Sequence, residues 1–253
     1  MKKQGILLPA EHGAWGMITE PILLGLLVAP SLSGAALSAF AFAVFLLRTP
    51  GLRLLRARRA PSPDPHGPAV RRFASICLGI ALTGLLIGAL FADSARWIFP
   101  FLLALPLSLW TLREQDQGRT RTLWPELLDA LAIGAPAAAL PLAAGMELPA
   151  SFLLWGLLAL KSVSAILHVR AQVQRFRGRP SRPEISLMLH AAIPAALLLL
   201  GLPSAITVPF LLLALRAFLF TFRPLPTPKH IGWSEVAVSL FFVLALGLGF
   251  PFG

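Results

Sequence analysis

Nine apolar segments dominate this chain, and each is close to the length that a helix needs to cross the hydrocarbon layer of a membrane. Such a crossing takes about 20 mostly apolar residues, because each helical residue rises about 1.5 Å through a layer about 30 Å thick. The composition agrees, since 57% of the 253 residues are hydrophobic and only 13% are charged. The sequence therefore predicts an all-α, polytopic transmembrane helix bundle that forms a single helical domain over residues 1–253.

The predicted spans are separated by proline, glycine or charged residues. They cover residues 12–29, 32–47, 73–92, 97–112, 124–144, 151–169, 184–202, 205–222 and 231–250. The second span is expected to break at Arg48-Thr49-Pro50-Gly51, because proline lacks a backbone donor. Pro136 and Pro194 lie inside spans and are expected to bend them. Gly84 and Gly88 form a GxxxG spacing, which lets neighbouring helices approach closely.

Basic residues alternate from one connector to the next. Long basic connectors follow every second span, at about 53–72, 113–123, 170–183 and 223–230. The intervening connectors are short, and Arg96 is the one basic residue on that side. The positive-inside rule then predicts a cytoplasmic N-terminus and an external C-terminus. Because topology explains the formal net charge of +11, no nucleic-acid partner is predicted.

Three ionisable residues lie deep inside the predicted spans, where a charge needs a partner or a function. Glu20 is about two turns into the first span. Lys161 is close to the bilayer midplane in the sixth span, too deep for its ammonium group to reach water, so we expect a carboxylate partner. Arg216 is about two turns from the cytoplasmic end of the eighth span. A Glu20–Lys161 pair could serve structure or catalysis, and the sequence leaves both open.

Other polar side chains share helix faces near the predicted cytoplasmic ends of spans. His12 and Trp15 lie on one face of the first span. Glu126 and Asp129 are three residues apart at the start of the fifth span, where carboxylates also suit the helix dipole. His168 lies seven residues after Lys161, on the same face. Arginines at helix ends have an alternative role as interface anchors: Arg48, Arg53 and Arg170. For His190, the alternative is a packing role without any part in ligand binding or catalysis.

Apart from Lys161, these groups lie in the predicted cytoplasmic half of the membrane. They predict a polar chamber that opens to the cytoplasm beneath apolar helices, which suits a ligand with a charged head and a long apolar tail. The candidate catalytic residues, which would transfer protons, are His12, Glu20, Asp129 and His168. The candidate substrate-binding residues are Glu11, Trp15, Arg48, Arg53, Glu126, Lys161, Arg170 and Arg216.

No metal site is predicted, because no HExxH or comparable spacing of ligands is present. Metal binding is a less favoured alternative, and its donors would come from His12, Glu126, Asp129, His168 and His190.

One sequence motif resembles a known family. Pro9-Ala10-Glu11-His12-Gly13-Ala14-Trp15 is similar to the opening motif of the YwiC-like family of bacterial membrane proteins. Three further motifs support the likeness: Glu126-Leu-Leu-Asp-Ala130, His168-Val-Arg170-Ala-Gln172 and Lys229-His-Ile-Gly-Trp233. The resemblance implies a multi-pass protein of the bacterial cytoplasmic membrane, and it implies no particular reaction.

The predicted architecture also resembles, more distantly, the UbiA-type prenyltransferases. Those enzymes hold a prenyl diphosphate through magnesium, bound by aspartate-rich motifs near the cytoplasmic ends of spans two and six. Here the corresponding stretches carry Arg48 and Arg53, and Lys161, His168 and Arg170, with no DxxxD motif. Magnesium is therefore not expected, and arginine and lysine would pair directly with an anionic head.

Three functions remain open. The first is binding of an isoprenoid or another lipid-linked anion, in which case an enzyme would be a UbiA-like transferase that works without aspartate-bound magnesium. The second is transport of a small solute, with Glu20–Lys161 as a gating pair, although nine spans fit inverted repeats poorly. The third is a non-catalytic role in membrane assembly, with the deep charges acting as structural pairs.

Overall fold

The computed structural model describes residues 7–8, 12–59, 64–119, 122–222 and 227–250. Within these ranges the chain is helical, apart from turns and short links, and contains no strand. The α-helices are α1 (His12–Val28), α2 (Leu32–Arg59), α3 (Gly67–Phe91), α4 (Ile98–Asp116), α5 (Leu123–Ile133), α6 (Pro136–Ala143), α7 (Leu148–Phe176), α8 (Pro183–Leu199), α9 (Ser204–Phe222) and α10 (Pro228–Gly249). All nine predicted segments are helical, which confirms the all-α class.

Seven helical stretches in the described ranges are long and apolar enough to cross a membrane. They are Leu32–Arg59, Gly67–Phe91, Ala95–Asp116, Leu123–Ala143, Leu148–Phe176, Ser204–Thr221 and Lys229–Gly249. Two shorter apolar helices, Trp15–Val28 and Pro183–Leu199, correspond to the first and seventh predicted spans. The outer face of α3 exposes Leu82, Leu86 and Leu90 by 58%, 60% and 70%, as expected of a surface that faces lipid. The chain is a multi-pass membrane protein with a helical-bundle fold.

The chain forms two compact units, Met1–Trp155 and Gly156–Gly253, and the boundary between them falls inside α7. The first unit contains α1 to α6 and the start of α7. The second contains the rest of α7 and α8 to α10. The single domain over residues 1–253 stays a prediction.

Helix α6 is the centre of the first unit, and each of its eight residues is buried. It packs against α1, α2, α4 and the 3₁₀ turn Ala95–Trp97. Close approach is possible because α6 is rich in alanine and because Gly25 faces it from α1. A Cβ atom on Gly25 would lie 3.0 Å from Cβ of Leu140. Small residues inside and large apolar residues outside are typical of helix packing in membranes.

The fifth predicted span consists of two helices, α5 and α6, which are separated by a turn at Gly134–Ala135. Pro136 begins α6, where its missing N–H costs least. The backbone at the break remains hydrogen bonded, since Ala137 N donates to Gly134 O at 3.0 Å. The indole Nε1 of Trp155 donates to Leu131 O at 3.0 Å. The helix is therefore irregular at the position where a bend is predicted, and the irregularity is a two-residue turn between α5 and α6.

The GxxxG spacing in α3 forms a close contact with α2. A Cβ atom on Gly84 would lie 2.7 Å from Ala36 O and 2.9 Å from Phe40 N. One on Gly88 would lie 2.7 Å from the Leu37 side chain. Only glycine fits at Gly84 without displacing backbone, so this pair of helices depends on it.

The predicted break at Arg48-Thr49-Pro50-Gly51 is wrong, because α2 continues through Pro50 to Arg59. Ion pairs hold its extra turns, Arg53 with Asp64 and Arg56 with Asp116. The basic connectors are accordingly shorter than predicted. The helices include residues 53–59, 67–72, 113–116, 123, 170–176, 183 and 228–230.

Helix α9 organises the second unit by packing against both α8 and α10. Phe210 of α9 and Phe242 of α10 form an edge-to-face pair with ring centroids 5.0 Å apart. Arg175 of α7 donates to Thr221 O of α9 at 3.1 Å. Both phenylalanines are almost fully buried, so the apolar part of this core lies between α9 and α10.

Candidate functional site

A buried polar stripe runs along α7 inside the second unit. Lys161, Ser164, His168 and Gln172 recur every three or four residues and so share one helix face. They are 3%, 1%, 2% and 1% exposed. The stripe is about 16 Å long, about half the thickness of the hydrocarbon layer. Four polar residues on one buried face of a membrane helix are costly, which marks this stripe as the candidate site.

Lys161 begins the stripe. Its Nζ donates a hydrogen bond to Oγ of Ser239, a buried serine on α10. Ser164 Oγ donates to Lys161 O at 2.9 Å, so its hydroxyl is satisfied within α7. The predicted carboxylate partner of Lys161 stays a prediction, whereas the serine contact from α10 was not predicted.

Two histidines meet at the middle of the stripe. The rings of His168 on α7 and His190 on α8 have centroids 5.7 Å apart, and both side chains are buried. Ser186 lies between them, with its Oγ 3.5 Å from Nδ1 of each ring. The Nδ1 of His190 also lies 2.8 Å from the backbone oxygen of Ser186. His190 therefore has a defined partner on its own helix, in agreement with a packing role.

Arg216 on α9 forms an ion pair with Glu235 on α10, between Nη2 and Oε1. Ser234 Oγ accepts a hydrogen bond from the same nitrogen at 3.3 Å. The guanidinium carbon lies 5.2 Å from the ring centroid of Phe220, which also packs against His168. The two charged side chains are 13% and 17% exposed, so the pair is largely withdrawn from solvent. Arg216 and His168 thus border the same aromatic ring.

Several buried polar atoms of this unit have no hydrogen-bond partner among the residues that the structure describes. They are His168 Nε2, Gln172 Nε2, Gln172 Oε1 and Arg216 Nε. Folded proteins pair more than about 90% of such atoms. In hydrocarbon each unpaired polar group costs several kcal/mol, so four in one unit need an explanation.

Arg48 and Asp129 come together in the first unit. The guanidinium contacts the carboxylate through two nitrogens, at 2.7 and 3.0 Å. Thr111 Oγ1 donates to the same carboxylate at 3.3 Å. The arrangement links α2, α4 and α5. A bidentate pair of this kind leaves the guanidinium fork of Arg48 engaged by protein.

Arg53 is also paired, with Asp64 in the link between α2 and α3. Its Nε and Nη2 donate to the two carboxylate oxygens at 2.6 and 3.0 Å. The guanidinium and the backbone N–H of His66 hold the pKa of Asp64 at about 2, below its usual range. Asp116 likewise accepts from Arg56 and Arg59. These arginines therefore link the ends of helices through ion pairs.

The remaining predicted residues are placed as follows. Glu11 and the side chain of His12 lie outside the described residues. Trp15 packs against Phe42 and Phe45, with centroid distances of 6.1 Å in both cases. Half-buried side chains are found at Glu20, Glu126 and Arg170. The structure thus brings predicted site residues together in two places: Arg48 of α2 meets Asp129 of α5, and His168 of α7 and Arg216 of α9 lie against Phe220.

Sequence reasoning missed four members of the second unit's polar set: Gln172, Ser186, Glu235 and Ser239. Glu235 is a carboxylate inside the ninth predicted span, so the rule applied to Glu20 would have found it. Gln172 follows His168 by four residues and would have extended the predicted face. The serines carry no such signal, because a hydroxyl in a membrane helix usually bonds to its own backbone. No cluster of three or more potential metal ligands occurs in the part of the chain that the structure describes.

Comparison with known proteins places the chain in a family. Residues 8–141 match the family model described as YwiC-like protein, and this range is just over half of the 253 residues. The match lies within the first unit, so the motifs that begin at His168 and Lys229 fall outside it. No curated protein and no solved structure matches the chain, and the UbiA-like arrangement stays a prediction. The chain belongs to the YwiC-like family.

Proposed function

We propose that this YwiC-like protein of the bacterial cytoplasmic membrane binds the head of an isoprenoid or other lipid-linked anion in the polar interior of its second unit. The observation that carries the proposal is a set of buried atoms on His168, Gln172 and Arg216 that have no partner among the described residues. A ligand that bonds to these atoms removes a cost of several kcal/mol per group in a membrane interior. Satisfaction of these groups would thus contribute to the binding free energy of the ligand.

The charge of the second unit supports an anionic ligand. Residues 156–253 contain nine lysines and arginines but two carboxylates, Glu184 and Glu235. Positive charge over a low-dielectric interior raises the local concentration of anions. By the predicted topology, His168 and Gln172 lie toward the cytoplasmic end of α7, where a lipid head would enter.

The apolar surroundings support a lipid-linked ligand over a freely soluble one. The helices of the second unit expose large apolar side chains such as Leu198, Leu212 and Leu248. A hydrocarbon tail is stable beside such surfaces in the bilayer, while the head reaches the polar stripe. A water-soluble anion would gain only the head contacts.

The ion pairs narrow the set of residues that we assign to the ligand. We assign Lys161, His168, Gln172 and Arg216 to the head. Arg48 and Arg53 each donate through two nitrogens to one carboxylate, and we assign them a structural role that links helices. Arg216 keeps a role because its Nε remains unpartnered in the described structure.

The test is identification of lipids that co-purify with the protein in detergent, by mass spectrometry, for the wild type and for Gln172→Leu. We expect enrichment of one anionic lipid class over the bulk membrane, and a loss of about tenfold or more with Gln172→Leu. Gln174→Leu is the matched control, because it makes the same change on the same helix at a half-exposed position. Absence of any enriched anionic lipid from the wild type would overturn the proposal.

A further inference from the structure

The hydrogen bonds of His190 fix where its ring proton lies. Its Nδ1 is 2.8 Å from the backbone oxygen of Ser186, and a carbonyl oxygen can only accept. The proton of a neutral His190 ring therefore lies on Nδ1, which donates to this carbonyl. His190 Nδ1 cannot at the same time accept a proton from another group.

The serine then fixes the proton of the second ring. Ser186 Oγ lies 3.5 Å from both Nδ1 atoms, longer than an ordinary hydrogen bond of about 3 Å. Because His190 Nδ1 already carries a proton, Nδ1 of His168 is the ring nitrogen of this pair that offers a lone pair to the Ser186 hydroxyl. When Ser186 donates to it, the one proton of a neutral His168 ring lies on Nε2. The two histidines are thus opposite tautomers.

With these tautomers, Nε2 of His168 is a hydrogen-bond donor that needs an acceptor. His168 Nε2 is buried and has no partner among the described residues. Arg216 Nε is a second such donor, and the amide nitrogen of Gln172, one turn along α7 from His168, is a third. In the described part of this unit, one acceptor also has no partner, Gln172 Oε1. The group that satisfies this set is rich in acceptors.

We infer that His168 donates a hydrogen bond from Nε2 to an oxyanion of the bound head, of the phosphate class, and that Ser186 and His190 are positioning residues that fix its tautomer. This inference rests on the proposed function and narrows it, because it names the residue that donates to the anionic head and the class of oxyanion that accepts. In this arrangement Ser186 Oγ donates to Nδ1 of His168, and Nε2 of His168 donates to the ligand. His190 contributes by presenting Nδ1–H, and not a lone pair, to the serine.

The tautomers are tested without any ligand, by ¹⁵N NMR of protein labelled at its five histidines. Signals are assigned by their loss in His168→Gln and His190→Gln. We expect Nε2–H for His168 and Nδ1–H for His190, and we expect Ser186→Ala to mix the tautomers of His168 alone. An Nδ1–H tautomer of His168 in the wild type would overturn the inference.

Binding is tested by native mass spectrometry with dodecyl phosphate and dodecyltrimethylammonium, which share one tail. We expect binding of the phosphate probe only. His168→Asn, whose amide reaches only the Nδ1 position, should weaken it by about tenfold to a hundredfold. His168→Gln, whose amide nitrogen reaches the Nε2 position, should stay within a few-fold of the wild type.

The outcomes separate the two proposals. If neither probe binds the wild type, the proposed function fails. If the phosphate probe binds equally well to His168→Asn, the inference fails while the proposed function stands. If the ammonium probe binds as well as the phosphate probe, the preference for an anion fails, and the proposed function fails with it. Inorganic phosphate as a competitor distinguishes the sources of the oxyanion. We expect it to displace the probe only in large excess, and displacement at equal concentration would show a free-phosphate site instead of a lipid-linked one.

Discussion

Individual polar residues in this protein differ in whether other protein groups satisfy their hydrogen bonds. Arg48 has both nitrogens of its fork on Asp129, with Thr111 as a third member. Gln172 and His168 are more deeply buried, yet parts of them have no protein partner in the described ranges. Since an unpaired polar atom costs more the deeper it lies, a ligand is expected at the second group and a structural role at the first.

The structural role of the Arg48–Asp129 pair predicts a specific cost for Asp129→Asn. The side chains are 19% and 24% exposed, so loss of the pair should lower the free energy of unfolding by about 1–3 kcal/mol. Arg48→Met combined with Asp129→Leu should recover part of that loss. Unfolding of detergent-solubilised protein by denaturant measures both effects.

Asp116→Asn is the matched control, because its arginine partners are 52% and 71% exposed and solvent screens such pairs. If Asp129→Asn costs no more than Asp116→Asn, the pair does not stabilise the fold. Arg48 would then return to the set of candidate ligand-binding residues.

At the scale of elements, close helix contacts depend on particular glycines. The α2–α3 contact places Gly84 directly against backbone atoms of Ala36 and Phe40. Gly79, on the same helix, is exposed, and a Cβ atom added there would meet no atom of another element within 4 Å. A methyl group should therefore clash with backbone at Gly84 and fit without a clash at Gly79.

Gly84→Ala should lower the free energy of unfolding by about 1–3 kcal/mol, since backbone must move to make room. Gly79→Ala should raise it by up to about 1 kcal/mol, because alanine is the better helix former. Unfolding in mixed detergent micelles compares the two variants directly. A Gly84→Ala protein as stable as Gly79→Ala would show that the two helices are not in close contact in solution.

At the scale of the whole molecule, the number of membrane crossings decides the topology. Helix α7, with 29 residues, is ample for a crossing, whereas α8 has 17 and spans about 26 Å. A hydrocarbon layer of about 30 Å can thin locally to accept a short helix. The predicted topology, with a cytoplasmic N-terminus and an external C-terminus, requires both to cross.

Cysteine labelling tests this topology with little background, because Cys77, the one native cysteine, is buried. A membrane-impermeant maleimide should label Glu147→Cys and Ser204→Cys in intact cells, and Arg179→Cys only after permeabilisation. Labelling of Ser204→Cys only after permeabilisation would show that α8 does not cross. Labelling of Arg179→Cys in intact cells would reverse the orientation.

The positions of the helices could be predicted because hydrophobicity over about 20 residues is a local property. Boundaries were less predictable. Pro50 was expected to end a helix, but ion pairs from Arg53 and Arg56 to residues later in the chain hold the turns that follow it. The proline penalty of about 3 kcal/mol is offset chiefly by helix packing, because exposed ion pairs contribute little to stability.

The sequence by itself determined that this chain is an all-α membrane protein, and it located Lys161, His168 and Arg216 inside its spans. Both conclusions rest on apolar length and on the cost of intramembrane charge, which need no knowledge of neighbouring elements. Tertiary structure alone decided the partnerships. Arg48 meets Asp129 across 81 residues, and Lys161 meets Ser239 across 78. It also decided which buried atoms, on His168 and Gln172, have no partner within the described ranges, because satisfaction of a polar atom depends on the geometry of every element around it.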